Sequence, residues 1–360
     1  LEHKLRKRRN LPGELSRQRL ISYRRRLQKM AAQFEVVQDK TIRNSSVYLT
    51  WDYLDVYVAT SMRNKWEYED TADFIRRVFS NRTVRGLRLR YFDPTQAKCV
   101  NSRDKGLLES LMLKRASCTI YMAQEGDTMG KDSELAATLA QSKPVVAYVP
   151  QIKVRPYSRR IRSYPLDFFY RRLLSLKIDG VLSDESCLKE LRANVASYQS
   201  VISDFIRRYE HYRENIQPFL LWWSEDERMF KRRYKDFGQL CMVLAIGEKH
   251  AFDTRADLLK GRHPLSMQVD LSTGVANGVL VVRSPQKCAA LLSDLLLNSV
   301  RYSILHDREA GFTVLSENRT GSPHRVVTDN EQLTNSFWSL FHRNAEGKSG
   351  YRTSEVGHVQ

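Results

Sequence analysis

The chain has few cysteines and no motif that pairs them. Its five cysteines are scattered through 360 residues, and none belongs to a CxxC pair. An odd, scattered set argues against a disulfide scaffold or a zinc site and fits the reducing cytoplasm. No apolar run approaches the roughly 20 residues that span a bilayer, and the basic N-terminus lacks the apolar core of a signal peptide. We therefore expect a cytoplasmic protein without a transmembrane segment or a metal site.

Common nucleotide-binding motifs are missing as well. The sequence contains no GxGxxG fingerprint and no P-loop, and its histidines show no ligand spacing. The segment from Gly274 to Gly278 is rich in glycine, but its Asn277-Gly278 pair is more typical of a turn between strands. No internal repeat or low-complexity tract is present. The sequence therefore gives no indication of a bound cofactor.

Acidic residues are too few to balance the basic ones. The chain has 59 Lys and Arg against 41 Asp and Glu, which gives a net charge of +18. Half of this charge lies in residues 1–43, which hold 13 basic and 4 acidic residues. A nucleic acid is a natural partner for such a chain, because neutralising phosphates releases counterions. The alternative is a solvated surface that only keeps the protein soluble.

The N-terminal region predicts a basic amphipathic helix from Glu14 to about Gln38. Apolar residues recur there at spacings of three and four from Leu20 to Phe34, which makes one apolar stripe. The helix is suited to a nucleic acid, an acidic partner or a membrane surface, or to docking on its own core. The residues we predict to contact nucleic acid are Arg24, Arg25 and Arg26 here, and Arg159 and Arg160 further along the chain.

From Tyr53 onward, predicted strands alternate with predicted helices. The strands are Tyr53–Thr60, Leu87–Phe92, Ser117–Met122 and Val145–Val149; the helices are Trp66–Ser80, Asp104–Arg115 and one that carries Glu134. This alternation predicts a parallel sheet with helices on both faces. Such sheets bind ligands at the carboxyl ends of their strands. Three polar loops, residues 61–63, 93–95 and 124–133, converge on that edge.

The segment from Gly126 to Pro150 carries the most informative carboxylate. A glycine-punctuated loop opens a short helix, on whose first turn we predict Glu134, and the helix leads into an apolar strand. Cleavage of an N-glycosidic bond passes through an oxocarbenium-like state, which a nearby carboxylate stabilises. The alternative is that Glu134 only complements the helix dipole.

Residues 53–150 resemble the nucleoside 2-deoxyribosyltransferase-like superfamily and the related TIR domains that cleave NAD. The resemblance rests on VYVATSMR, on LLESLMLKRA before SCTIYMA, and on GKDSELAATLAQSKPVVAYVP. It implies a flavodoxin-like or TIR-like parallel sheet, with Glu134 as the catalytic glutamate and NAD or a related nucleotide as substrate. The positions that match the family's substrate-binding loops are Ser61, Met62, Arg63, Asp93, Asp127 and Asp132.

Two of these positions, and Tyr57 on the first strand, have alternative interpretations. Arg63 is suited to pair with a diphosphate, or it is an ordinary surface arginine. Asp132 orients ribose hydroxyls, or it caps the helix, because it stands two residues before Glu134 where an N-cap is expected. Tyr57 on the first strand is expected to pack in the core, with stacking on a base as the alternative.

One departure from the family pattern affects the expected reaction. Deoxyribosyltransferases carry an aspartate directly after the third strand, whereas this chain has Met122-Ala123-Gln124. The departure favours N-glycoside hydrolysis, or loss of catalysis, over sugar transfer. By family analogy, such enzymes serve as effectors in bacterial anti-phage defence and are activated by assembly, so we expect an oligomer or a larger complex. The alternatives are a non-catalytic nucleotide-sensing or scaffold module, and an effector held inactive in a nucleic-acid complex.

The predicted plan of the chain has five parts. They are a basic arm at 1–45, the α/β domain at 46–150, a mainly helical region at 151–262, a small α+β domain at 263–343 and a flexible tail at 344–360. Arg155–Pro165 is predicted to be a linker, and Glu185–Tyr212 and Glu225–Ile246 are predicted to be helices. Predicted strands at Met267–Leu271, Gly278–Arg283 and Phe312–Leu315 and helices at Pro285–Leu297 and Asn330–His342 complete the C-terminal part. Residues 151–360 resemble no family.

Overall fold

The computed structural model describes residues 17–99, 101–126, 128–215, 225–262, 266–269, 275–307, 311–330 and 332. The chain divides into two compact units, and each is described by itself below. The first comprises Leu1–Asp52 and Gln96–Leu111, and the second comprises Tyr53–Thr95 and Met112–Gln360. The described residues form a mixed α/β protein with a multistranded sheet, which confirms the predicted fold class at that level.

The first unit contains one long helix, α1, which spans Arg17–Leu49. It extends 11 residues beyond the predicted end at Gln38, because its second half is anchored. The Ser45 hydroxyl donates to the Lys98 carbonyl and accepts from the Lys98 amide, each at 3.0 Å, and Asn44 donates to the Gln96 carbonyl. The predicted apolar stripe is not buried at Phe34. This side chain is exposed, and the Lys98 ammonium lies 5.2 Å from the centroid of its ring.

The second unit is built on one nine-stranded sheet, in the order β2-β1-β3-β4-β6-β9-β8-β7, with β5 beside β6. The strands are β1 Leu54–Ala59, β2 Tyr91–Phe92, β3 Ala116–Met122, β4 Val145–Tyr148, β5 Met267–Val269, β6 Ala276–Val282, β7 Tyr302–Asp307, β8 Phe312–Glu317 and β9 Pro323–Thr328. Strands β2, β1, β3, β4 and β6 run parallel, and the pairs of β6 with β5 and β9 are antiparallel.

Helices cover both faces of the parallel strands. Those after α1 are α2 Lys65–Phe79, α3 Arg82–Arg85, α4 Ser102–Arg115, α5 Met129–Ala140, α6 Val154–Ile161, α7 Leu166–Ile178, α8 Glu185–Asn194, α9 Tyr198–Asn215, α10 Glu225–Arg233, α11 Phe237–Asp257 and α12 Pro285–Leu296. Val58 and Ile120 on one face of the sheet belong to a core cluster with residues of α2, α3 and α12. Tyr57 and Tyr121 point to the other face, where they meet α5. Period-two alternation along β1 and β3 thus separates a dry apolar face from a face with hydroxyl groups.

Several predicted elements differ in the structure. The predicted linker Arg155–Pro165 is largely the helix α6, which buries Tyr157 and Ile161. Each of the two long predicted helices is broken once, and the halves are α8 with α9 and α10 with α11. The predicted strand from Leu87 shrinks to Tyr91–Phe92, because Asn81 caps the short helix α3 just before it and Arg88 adopts a positive φ of 50°.

The structure also differs from the predicted domain plan at the C-terminal part. Strand β6 pairs in parallel with β4, from Val145↔Val279 to Tyr148↔Val282, so residues 276–282 extend the sheet of the α/β domain. Strands β7 and β9 were not predicted. Gly278 is required where the sheet turns antiparallel, because a Cβ there would lie 2.1 Å from the Pro323 carbonyl oxygen. Apart from residues 330 and 332, the predicted helix Asn330–His342 and the tail lie outside the described residues.

Candidate functional site

The helix that carries Glu134 begins at Met129, and its N-cap is Thr128. The Thr128 hydroxyl accepts a hydrogen bond from the Lys131 amide at 3.3 Å. Glu134 therefore lies in the second turn of α5, and the prediction that placed it on the first turn is wrong. The capping interpretation of Asp132 is also wrong, because Thr128, one turn earlier, is the N-cap and Asp132 lies inside the helix.

The Glu134 carboxylate is held by a tyrosine from the neighbouring strand. The Tyr57 hydroxyl donates to Oε1 of Glu134 at 2.7 Å. Tyr57 is 1% exposed, and its ring stacks on Phe92 with 5.2 Å between centroids. Core packing of the ring, as predicted, therefore brings a phenol to the surface of the sheet. Glu134 itself is half-buried. The carboxylate is thus positioned by a rigid partner while part of it stays accessible.

Gln124 ties together the carboxyl ends of β1 and β3. Its Oε1 accepts from the Ser61 amide at 2.6 Å, and its Nε2 donates to the Ser61 carbonyl at 2.8 Å. The Thr60 hydroxyl donates to the same Oε1 at 3.0 Å. Gln124 is buried, and an aspartate could not reproduce this clamp because it has no amide donor.

The loop after β1 is only partly free for a ligand. The Ser61 hydroxyl shares a hydrogen bond of 3.2 Å with the hydroxyl of Thr128, so Ser61 lies at the start of α5. The Arg63 guanidinium lies 3.5 Å from Glu67 and donates to the Gly126 carbonyl at 3.3 Å, yet 53% of its side chain is exposed. Met62 between them is half-buried.

Sequence reasoning missed Glu67, which fixes this loop from α2. Its Oε2 accepts from the amides of Arg63 and Asn64 at 2.6 and 2.7 Å. The signal was a capping box, in which an Asn is followed three residues later by a Glu.

Asp93 lies directly after β2 and contacts its own loop. The Asp93 carboxylate is buried and accepts from the amide and the hydroxyl of Thr95 at 2.8 and 2.6 Å, which forms an Asx turn. Burial raises the pKa of the Asp93 carboxyl above its ordinary value, against these hydrogen bonds. Its local role is to shape the turn after β2. Asp127 lies outside the described residues.

A cleft of about 550 Å³ opens on the other side of α5, between this helix, α7, α11 and the end of β3. Asp132 lines it, and its Oδ1 accepts from the Tyr121 hydroxyl at 2.8 Å. Arg255 of α11 donates to the Tyr121 hydroxyl oxygen at 2.7 Å and to the Gln124 carbonyl at 3.2 Å. Asp132 therefore faces a ligand-sized cavity, whereas Glu134 is not one of its lining residues.

Glu125 is a second titratable group that sequence reasoning missed. It lines the cleft and also a smaller cavity of about 90 Å³ on its far side. Burial, with a further contribution from the charge of Glu248, raises the pKa of its carboxyl to about 7. The Tyr157 hydroxyl lies 3.5 Å from its Oε1. Carboxyls whose pKa lies near neutrality in clefts are candidates for proton transfer. Its position directly after Gln124, at the carboxyl end of β3, could have identified it.

A buried ion pair supports the Glu125 loop from below. Arg172 of α7 donates to both carboxylate oxygens of Glu248 at 2.5 and 2.8 Å, and Glu248 is fully buried. The same guanidinium donates to the Glu125 carbonyl at 2.8 Å. Such a bidentate pair fixes geometry as well as charge. Residues outside the α/β segment thus shape the cleft.

Arg160, predicted to contact nucleic acid, is engaged inside the smaller cavity. Its guanidinium pairs with Asp70 at 2.8 Å and lies 5.0 Å from the centroid of the Tyr157 ring. Burial raises the pKa of the Asp70 carboxyl, although the Arg160 charge opposes this. The neighbouring Arg159 is exposed. Arg160 therefore has an acidic partner within its own unit, while 48% of its side chain stays exposed.

The predicted contacts on the N-terminal helix are exposed where the structure describes them. Arg24 and Arg25 project from α1, and the side chain of Arg26 lies outside the described part. In the described part of the chain, no three His, Cys, Asp or Glu side chains are grouped so that they could hold a metal ion. No described helix combines the length and apolar character that a membrane crossing requires. No family model matches the chain, and no curated protein or solved structure was found to be similar to it.

Proposed function

We propose that the protein is an N-glycoside hydrolase that acts on NAD or a related nucleotide, with Glu134 as its catalytic carboxylate. The observation that carries the proposal is the 2.7 Å hydrogen bond from Tyr57 to Glu134 in the second turn of α5. It combines a fixed orientation with partial exposure, which a reacting carboxylate needs. A glutamate that only complements a helix dipole needs no buried donor from another strand.

The chemistry follows from the leaving group and the carboxylate. When the bond between ribose and nicotinamide breaks, positive charge develops on the sugar ring, and an adjacent carboxylate stabilises it. Nicotinamide leaves as a neutral base, so no general acid is needed to protonate it. In our proposal Glu134 stabilises this cation or holds the ribose hydroxyls, and water then captures the sugar.

The strand order supports a flavodoxin-like or TIR-like core. The parallel strands lie in the order β2-β1-β3-β4-β6, which corresponds to the flavodoxin-like order 2-1-3-4-5. The direction in which successive strands are added to the sheet reverses between β1 and β3. Ligands of such folds bind at this switch point. The Gln124 clamp on Ser61 lies at this point, and Glu134 is close to it on α5.

The same geometry favours hydrolysis over sugar transfer. The Gln124 side-chain amide is bonded to the main chain of Ser61. The segment Met122-Ala123-Gln124, where the family has an aspartate, therefore offers no carboxylate. We assign the diphosphate to Arg63, whose guanidinium is more than half exposed, with Ser61 and Met62 beside it. Asp132 serves the ribose or base only if the substrate extends into the larger cleft.

A second candidate is a non-catalytic nucleotide-sensing or scaffold module. It is favoured by the larger cleft, which has the volume of a small-molecule site but is not lined by Glu134. In a related form of this proposal, the protein is an effector that a nucleic-acid complex or an oligomer keeps inactive. A role in anti-phage defence rests on family analogy alone.

Incubation of the full chain with NAD, with and without nucleic acid, tests the proposal when free nicotinamide is followed by chromatography. Steady nicotinamide release by the wild type supports the hydrolase. Calorimetric binding of NAD without release under any condition supports the sensing module. Release that is unchanged in Glu134→Gln contradicts the assignment of the carboxylate even if the reaction is correct.

A further inference from the structure

The segment between Phe74 and Phe92 holds a concentration of arginine that the proposed function does not use. It contains no acidic residue and no lysine. Its basic residues are Arg76, Arg77, Arg82, Arg85, Arg88 and Arg90. A segment whose only charged residues are arginines is unusual for a solvated surface, where charges of both signs are normally interspersed.

Arg82, Arg85, Arg88 and Arg90 directly precede β2 and therefore lie toward the amino ends of the parallel strands, whereas Arg77 also lines the smaller cavity. Arg76 and Arg77 occupy the last turn of α2, Arg82 and Arg85 belong to α3, and Arg88 lies in the turn before β2. The turn is fastened to the start of β1, where the Asp55 amide donates to the Arg90 carbonyl at 2.8 Å. Glu134, Gln124 and Ser61 belong to the opposite edge. A partner bound here would leave the proposed catalytic edge open.

Three of the arginines have no counter-charge. Among the described residues Arg82, Arg85 and Arg88 form no ion pair, and all three are exposed. Asp73 serves both Arg76 and Arg77, so that pair keeps a net positive charge. We call Arg76, Arg77, Arg82, Arg85 and Arg88 together the arginine face.

The arginine face is held on a rigid support. Asn81 caps α3 by accepting from the amide and the hydroxyl of Thr83 at 3.1 and 2.9 Å. Val84 in the middle of α3 is buried in the core cluster beneath α12. Arg82 and Arg85 are three residues apart and therefore share one side of the helix. The guanidinium groups thus project from a scaffold that needs no ordering before it binds.

We propose that the arginine face binds the phosphodiester backbone of a nucleic acid. The planar guanidinium fork fits phosphate oxygens in a bidentate manner, which an ammonium group cannot do. Contacts of this kind position a protein on a nucleic acid without reading its bases. This assignment moves the expected surface away from Arg160, whose charge Asp70 already balances.

An anionic membrane is the competing partner, and the apolar residues argue against it. Peripheral helices insert large apolar side chains among the lipid headgroups. From Phe74 to Phe92, the described part of the chain exposes no large hydrophobic side chain, and the Arg90 guanidinium lies 4.5 Å from the centroid of the ring of the exposed Tyr53 nearby. The segment that carries the arginine face therefore supplies charge but no apolar side chain to insert into lipid. This combination suits a polyanion in water.

The test measures the affinity of the full chain for a labelled 20-base-pair DNA duplex across a series of salt concentrations. In the variant Arg82→Gln/Arg85→Gln/Arg88→Gln, we expect the affinity at low salt to fall at least about tenfold, and the slope of log K against log salt to shrink by about 2.7, since each lost phosphate contact removes about 0.9. The lysine triple variant, which keeps the charge, should retain the slope and lose only part of the affinity. It also separates loss of charge from loss of structure.

A matched control replaces three arginines, each of which pairs with a carboxylate on its own helix. Arg171 pairs with Asp167, and Arg207 and Arg208 both pair with Asp204, so their triple glutamine variant changes the net charge equally. We expect its slope to stay near that of the wild type. Equal losses of duplex affinity in the two glutamine triple variants would overturn the proposal. It would also be overturned if Arg82→Gln/Arg85→Gln/Arg88→Gln bound the duplex like the wild type but no longer bound phosphatidylserine vesicles. The outcome does not depend on nicotinamide release, so this proposal and the hydrolase proposal fail separately.

Discussion

Tyr57 and Glu134 are 77 positions apart in the sequence, and a hydrogen bond of 2.7 Å joins the phenol of one to the carboxylate of the other. Tyr57 lies on β1, which is next to the edge strand β2, and Glu134 lies on α5, which packs on the face of the sheet. The ring is immobilised by its stack on Phe92. The orientation of the carboxylate is therefore set by the core, and this relationship can be tested directly.

Replacement of Tyr57 by phenylalanine removes the donor and keeps the ring that stacks on Phe92. We expect kcat for nicotinamide release to fall about 10- to 100-fold, because a hydrogen bond to a charged group contributes about 1.5–3 kcal/mol. KM should change little. The matched control is Tyr209→Phe, since Tyr209 is also buried and donates to a carboxylate, that of Asp167, at 3.2 Å. Similar losses of kcat in both variants would assign the effect to stability alone.

Glu125 should make the stability of the protein depend on pH. Its pKa in the folded protein is about 7, raised from an ordinary value of 4.5, so the folded state binds a proton that the unfolded state has released between these values. The stabilisation is therefore complete below about pH 4.5 and is lost as the pH rises through 7. Between pH 5 and pH 8, we expect the free energy of unfolding of the wild type to fall by on the order of 2–3 kcal/mol relative to that of Glu125→Gln.

Urea unfolding of both proteins at pH 5, 6.5 and 8 measures this difference. The exposed carboxylate Glu69 supplies the control, because Glu69→Gln should follow the wild type at every pH. A difference between wild type and Glu125→Gln that stays constant across this range would show that Glu125 has no raised pKa.

The Arg172–Glu248 pair should be costly to break from one side. Glu248→Gln or Arg172→Met leaves a buried charge without its partner, and we expect either to lower the free energy of unfolding by about 3–5 kcal/mol. The double variant should recover much of this loss, because it removes both charges. A double-mutant cycle from denaturant unfolding measures the coupling. Additive losses in the double variant would mean that the two side chains act independently.

Gln124 should be required for order at the carboxyl edge rather than for chemistry. Gln124→Ala leaves the Ser61 amide and carbonyl without partners, which we expect to cost about 1–3 kcal/mol and to speed amide exchange at Ser61. Gln124→Asp introduces a carboxylate next to the third strand, but we expect no transfer of deoxyribose between bases, because the shorter side chain has no amide donor and cannot hold the loop. Detectable transfer by Gln124→Asp would contradict this role for the clamp.

The sequence was sufficient where a local pattern determines the structure. Strand β1 lies within one residue of its predicted bounds at each end, because a buried run is encoded in adjacent residues. It was insufficient where the partner is distant. The Tyr57 ring was expected in the core, but nothing local indicated that its hydroxyl would reach Glu134. The pairing of β6 with β4 likewise joins segments separated by more than 120 residues.

The cleft illustrates the same limit for the candidate site. Loops after β1 and β3 were predicted to converge, and the Gln124 clamp on Ser61 confirms that they meet. The wall formed by Arg172 and Arg255 comes from helices that carry no recognisable motif. Asp93 was predicted from the place of its loop after a strand, and sequence alone did not indicate the Asx turn in which its carboxylate accepts from Thr95. Strand order predicts where loops gather, and side-chain contacts decide which residues reach a ligand.

The most direct test of the central claim compares two glutamates near helix starts. Glu134→Gln is nearly isosteric, and Glu185→Gln removes an exposed carboxylate from the first turn of α8, where it only complements the helix dipole. We predict that nicotinamide release from NAD falls at least about 100-fold in Glu134→Gln and is unchanged in Glu185→Gln. Equal rates in the wild type and Glu134→Gln would contradict the account.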